Sequence, residues 1–213
     1  MTRTFSTKFP NYHPKAGTET HFVEKVWLSL IDCGLISLSK ACELSRQTGI
    51  GNFDMHNIRK CKLEPKGHTI RPGHKLKPGD FFSPRIWGND INPKSGRSGP
   101  YHSKQIIIAP DIEVQKTWNF SIKMYNPYTP PPALERINYF LSIQVPMPFK
   151  GLETISDKPH PMFKEIAKND GLAYDEFLNW FILDPKFRKT GTFTGQIICW
   201  NENINYLNEP ATH

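Results

Sequence analysis

The sequence predicts an α+β fold, a small mixed β-barrel flanked by short helices. Three observations carry that prediction. Segments rich in β-branched and aromatic residues crowd the middle of the chain, and helical spacing is confined to the first fifty residues and to a stretch after Pro161. The two kinds of segment do not alternate regularly, as a doubly wound α/β fold would require. With 213 residues, 38% apolar and 12% aromatic, the chain can bury a core of bulky side chains, which argues against disorder. Its 19 prolines and 14 glycines predict much connecting structure around that core.

Taken in order, residues 1–20 read as an irregular arm. Phe22, Val23, Val26, Trp27, Leu30 and Ile31 then recur at helical spacing, and Gly34 ends that helix. A second short helix is expected over 39–46, with Ser39 as its cap and Gly49 and Gly51 beyond its end. Four strands follow, at 81–87, 105–109, 112–124 and 137–145. The segment 88–100 is almost free of apolar residues and 126–132 holds four prolines, so both are expected to be loops, bordering the binding face. Pro161 suits the first position of a helix that ends near Gly171. The next helix places Phe177, Leu178 and Phe181 on one side, with Asp175 and Glu176 at its positive end. A strand over 193–200 closes the domain. The expected organisation is an arm with helices at 1–58 packed on a barrel domain at 59–201, then a polar tail at 202–213.

Cys33, Cys42, Cys61 and Cys199 lie far apart, with no C-x-x-C pair and no histidines at zinc-finger spacing. No metal or cofactor is expected. The longest apolar stretch, 26–38, is interrupted by Asp32, and residues 1–20 hold no run of signal-peptide length. The expectation is a cytoplasmic protein with reduced thiols and no membrane partner.

The formal net charge of +7 is unevenly spread. Residues 59–104 hold eleven basic residues against three acidic ones, with Trp87, Tyr101 and His102 interleaved. Basic groups release counterions from phosphates and aromatic faces stack on bases, so this window points to a nucleic acid or nucleotide partner. Within it, Arg71 precedes Pro72 and should be extended, leaving its guanidinium to grip a phosphate or carboxylate. Lys75, Lys77, Arg85, Tyr101 and Lys104 are the further candidate binding residues. His68 and His74 are assigned no chemistry, because neither has a second ligand at metal spacing.

Lys66-Gly67-His68-Thr69-Ile70-Arg71, a connector ending in Lys77, Gly79 and Asp80, and an aromatic strand form a K-x-x-T-I-R, K-x-G-D, strand series. Downstream come Ala167, Asp170, Gly171 and Leu172, then Asp175 to Phe177, Trp180 and Phe181. In this order the motifs resemble the ASCH domains of the PUA-like superfamily, over roughly residues 60–201, with interruptions near 88–103 and 126–160. The resemblance implies a PUA-like mixed β-pseudobarrel with a cleft that binds RNA or a modified nucleoside. One branch of that family is an acetylcytidine amidohydrolase, and transfer by motif position makes Lys66 the base, Thr69 the nucleophile and Asp170 the acid. The branch has Glu where this chain has the shorter Asp170. In a regular strand Lys66 and Thr69 would face opposite sides, so their cooperation requires a bend, which Gly67 makes feasible.

Overall fold

The computed structural model describes residues 1–50, 62–125, 138–144, 153–154 and 161–206. The fold is α+β. Its elements run β1 (Thr2–Thr4), α1 (Phe22–Asp32), α2 (Leu38–Thr48), β2 (His68–Pro72), β3 (Phe81–Trp87), β4 (Gln105–Ile107), β5 (Ile112–Glu113), β6 (Lys116–Tyr125), β7 (Asn138–Gln144), β8 (Glu153–Thr154), α3 (Pro161–Asn169), α4 (Tyr174–Ile182), α5 (Pro185–Thr190) and β9 (Thr192–Cys199).

The described strands form two open sheets and do not close into one barrel. In the first, β3 lies between β1 and β4, with β5 also paired to β3. The second runs β2-β9-β6-β7-β8. The expected strand over 112–124 divides because Val114 N–H turns to the Asp80 carbonyl at 2.8 Å and Gln115 N–H to the Cys199 carbonyl at 2.8 Å, transferring the chain from one sheet to the other. β6 then shows period-two burial, with Trp118, Phe120 and Ile122 inward and Asn119 exposed. Phe120 meets Phe177 and Phe181 of α4 at ring separations of 6.0 and 5.7 Å, so the helices after residue 161 cover this face.

The opening residues are not an irregular arm. β1 pairs in parallel with β3, and Phe5 and Phe9 are buried in the core. A three-residue strand is too short to announce itself by alternation, which is why its sequence reads as coil. Helix α1 buries Val26, Trp27 and Leu30 against its own chain, and the Trp27 indole donates to the Ile108 carbonyl at 2.6 Å. The cap of α2 is Ser37, which accepts from Lys40 N–H, and not Ser39. Trp200 ties the layers together. Its ring meets Phe5 and Phe82 at 6.2 and 5.9 Å, and its N–H donates to Ser29 Oγ at 3.1 Å.

The segment after Asn201 is also more than a polar tail. Ile204 and Tyr206 are buried, with the Tyr206 ring 4.9 Å from Trp118 and 5.7 Å from His68. The loop expected at 126–132 and residues 51–61, Cys61 among them, lie outside the described residues. Among the described residues no helix is long and apolar enough to cross a membrane.

Candidate functional site

β2 is an edge strand of the second sheet, consistent with Pro72 at its end, and its open side borders a cleft of about 470 Å³. Phe5, Tyr12 and Phe22 line this cleft together with Trp180 of α4 and Phe193 of β9, the Phe22 and Trp180 rings lying 5.6 Å apart. Lys66, Thr69, Arg71 and Asp170 line the same cleft. Lys66 and Asp170 thus reach the cleft from stretches about a hundred residues apart in sequence, beside further polar groups at Ser6, Asp184, Lys186 and Thr190.

Backbone pairing explains how Lys66 and Thr69 reach one space. The strand begins only at His68, and Lys66 sits before it, held by bonds from Lys66 N–H to the Lys25 carbonyl and from Gly67 N–H to the Asn169 carbonyl, each 2.9 Å. Thr69 and Arg71 then share a strand face. Gly67 is required for a different reason from the expected bend. A Cβ there would fall well inside van der Waals distance of Ile204 Cδ1, so the glycine permits close packing. Gly171 does need its left-handed φ of 76°, which ends α3 with N–H groups of Gly171 and Leu172 returned to the carbonyls of Lys168 and Ala167. That turn presents Asp170 to Lys66.

Lys66 is 1% exposed. Its Nζ donates to Asp170 Oδ1 and to the Asp170 carbonyl, both at 2.5 Å, and lies 4.3 Å from the Phe22 ring centroid. Burial pushes the Lys66 ammonium down to about 8, against the pull of Asp170. Burial likewise raises the Asp170 carboxyl, against the pull of Lys66, Arg71 and Lys25. Burial thus opposes the charge on both partners, while their contact with each other favours it.

Arg71 is fixed from behind. Its Nη2 donates to the Thr4 carbonyl, its Cζ lies 5.5 Å over the Phe5 ring, and its Nε is buried without a partner. Burial lowers its guanidinium to about 10, with Asp170 opposing and Arg3 assisting. Arg3 Nε is buried and unpartnered too. Lys25, whose ammonium donates to the Gly171 carbonyl at 2.6 Å, is pushed down by burial. Asp170 is the carboxylate that acts on Lys66 and Arg71, and it acts on Lys25 together with Glu176 and Glu24. The site therefore carries an excess of buried positive charge. His68 is a packing residue, as its 0% exposure and Nε2 contact to the Ile166 carbonyl at 3.1 Å show. Burial holds its ring well below the usual histidine range, and its Nδ1 lies 3.6 Å from Asp170 Oδ1.

Thr69 is in the cleft, but among the described residues no hydrogen bond joins its hydroxyl to Lys66 or Asp170. The remaining expected binding residues do not line it. Lys75 and Lys77 flank the buried Leu76, whose N–H and carbonyl are both bonded by the Gln196 amide, and this anchor turns the two lysines outward into solvent. Arg85, Tyr101 and Lys104 belong to the first sheet and its loop, and the 88–100 segment does not border the cleft. Sequence reasoning passed over Phe5, Tyr12, Phe22 and Lys25. Phe22 reads as one more core position of α1, and the arm has no periodicity to expose its aromatics. The one available signal was Lys25, the single cation of α1. Among the described residues there is no cluster of histidine, cysteine and carboxylate side chains able to hold a metal. No family model, curated protein or solved structure matches this chain, so the cleft is interpreted from its own geometry.

Proposed function

We propose that the chain is a PUA-like, ASCH-type cytoplasmic module whose cleft binds a nucleoside, free or within RNA. The observation that supports this most is the convergence of Lys66, Thr69, Arg71 and Asp170 in one aromatic-walled cleft. Its volume suits a nucleoside-sized ligand, its rings offer apolar and stacking surface, and its polar groups supply donors and an acceptor. Arg71, already oriented by Thr4 and Phe5, is placed to receive a phosphate oxygen, which would also offset the surplus positive charge.

Calorimetric titration with the common nucleosides, their 5′-monophosphates and acetylcytidine tests this reading. Binding that strengthens with the phosphate, and loses at least tenfold on Arg71→Gln, is expected. Absence of binding for every nucleoside and nucleotide overturns it.

A second reading is amide hydrolysis, favoured by the lowered Lys66 ammonium with Thr69 in the same cleft. Starting from neutral Lys66 and protonated Asp170, Thr69 Oγ would attack the acyl carbon as Lys66 takes its proton. The C–N bond would break as Asp170 protonates the leaving amine, and water would then release the acyl group from Thr69. The bonding of Lys66 to Asp170 instead of Thr69 favours the binding role. Turnover of acetylcytidine by the parent and its loss in Thr69→Ala would reverse that preference.

A further inference from the structure

The residues that the basic window contributes away from the cleft come together on the outer face of the first sheet. Arg85 and Trp87 lie two apart on β3 and face the same way, opposite Ile107 and Gln105 of β4. The inward positions between and beside them, Phe82 and Ile86, are in the core. The outward face carries Ile107 at 52% exposure and Tyr101 at 87% exposure. Tyr101 stands 5.2 Å from the Trp87 ring, with planes tilted by 48°. An aromatic side chain this exposed gains little from folding, and its backbone is strained as well, with φ at 65°.

The strain is held by a built turn. His102 and Ser103 N–H groups donate to the Gly99 carbonyl at 3.1 and 2.9 Å, Ser103 Oγ accepts from Gly99 N–H and donates to the Asp90 carbonyl, and Asn92 Nδ2 donates to the His102 carbonyl. This network fixes Tyr101 outward. Around it stand Lys94, Arg97, Lys104 and Arg85, none of which forms a salt bridge among the described residues. Gly88 N–H donates to the Lys104 carbonyl at 2.9 Å, which places Lys104 beside the end of β3.

We propose that this face binds a single-stranded nucleic acid, with bases stacking on Tyr101 and Trp87 and phosphates meeting Arg85, Lys104 and the loop cations. Positive charge without salt-bridge partners, beside the exposed Tyr101 ring and the half-buried Trp87 ring, complements a polyanion whose bases have apolar faces. It does not match an apolar protein surface, which would leave four cations desolvated without partners. The site is separate from the cleft and does not depend on its reading.

Fluorescence anisotropy with short labelled oligouridylate and oligothymidylate tests it, the two probes reporting whether the sugar matters. Tyr101→Ala is expected to weaken binding about tenfold through the loss of one stacked base, without disturbing the fold because the ring is exposed. Lys104→Ala is expected to lower the slope of log affinity against log salt by about one. The tenfold loss is expected to persist in an Arg71→Gln background, and mononucleotide binding in the cleft to be untouched by Tyr101→Ala. Four outcomes overturn the proposal: no oligonucleotide binding by the parent, equal binding by Tyr101→Ala, disappearance of the Tyr101 effect in the Arg71→Gln background, or equally tight binding of inorganic polyphosphate, which has no bases. The first of these would leave the face to a protein partner.

Discussion

The cleft and the outer face of the first sheet draw on the same basic window of the sequence and use its charge in opposite ways. In the cleft, Lys66 is removed from water, bonded twice to Asp170 and covered by Phe22. On the sheet face, Lys104 is exposed and Arg85 half-buried, and the Tyr101 ring near them is left open. Burying an ion costs several kcal/mol even after relaxation, whereas an exposed one costs almost nothing and is screened within about 8 Å at physiological salt. Net charge per segment thus reports where cations are, and only burial reports which of them act over short range.

Removal of one partner from the buried pair gives the largest expected effect. Asp170→Ala leaves the Lys66 ammonium enclosed without its carboxylate, with only the carbonyl of residue 170 to accept from it, and a loss of about 3–5 kcal/mol is expected in urea denaturation. A double variant, Lys66→Met with Asp170→Leu, should recover most of it, because neither group then has a charge to bury. If Asp170→Ala costs under about 1 kcal/mol, the pair is solvated and the contrast with the sheet face fails.

The same pair should make stability depend on alkaline pH. Lys66 is held at about 8 in the folded protein against 10.5 when exposed. Between those values the unfolded chain binds the proton and the folded one does not, so stability rises with pH across that window, by up to about 3 kcal/mol. Asp170 acts the other way at acid pH. Its raised carboxyl lets the folded chain hold a proton that the unfolded chain releases, so its contribution falls as pH climbs above the ordinary carboxylate range. Denaturation of the parent and of Lys66→Met at pH 7.5 and 10 separates the alkaline term from the titration of exposed lysines. Parallel behaviour of the two proteins would remove it.

A smaller effect is expected at Gly67, whose replacement by Ala forces a methyl into Ile204. The side chain or the β2 entrance must shift, at about 1–3 kcal/mol. Ile204→Ala in the same chain should restore part of the loss, and absence of that recovery would show that the contact is not the cause.

Much of this arrangement was legible in the sequence, where local signals were strong. The 3.6-residue spacing of α1, the Pro161 start of α3, the aromatic-rich run of β3 and the glycine that ends α3 each correspond to a local preference, and each lies within a residue or two of its expected place. Motif order placed Lys66, Thr69, Arg71 and Asp170 together before any geometry was known. The misses are long-range. Nothing local in Thr2–Thr4 announces a parallel partner some eighty residues away, and Ile204 and Tyr206 look like tail residues until Trp118 and His68 cover them. Arg85, Tyr101 and Lys104 share the basic window with Arg71 but not its cleft, because proximity in sequence does not survive the change from one sheet to the other.

The smallest expected effect is therefore the most informative about the second region. Tyr101 is 87% exposed, and among the described residues its side chain has no contact that holds the fold beyond the Trp87 ring. Tyr101→Ala should change stability by no more than about 0.5 kcal/mol, and Tyr101→Gly, which relieves the positive φ, should leave it unchanged or slightly raise it. Thermal denaturation of both variants beside the parent decides the point. A ring that can be removed without loss of stability, at a position where the backbone is strained to present it, has been placed there for contact with something outside the chain. A loss above about 2 kcal/mol in both variants would make Tyr101 a structural residue and return Trp87 and its neighbours to ordinary packing.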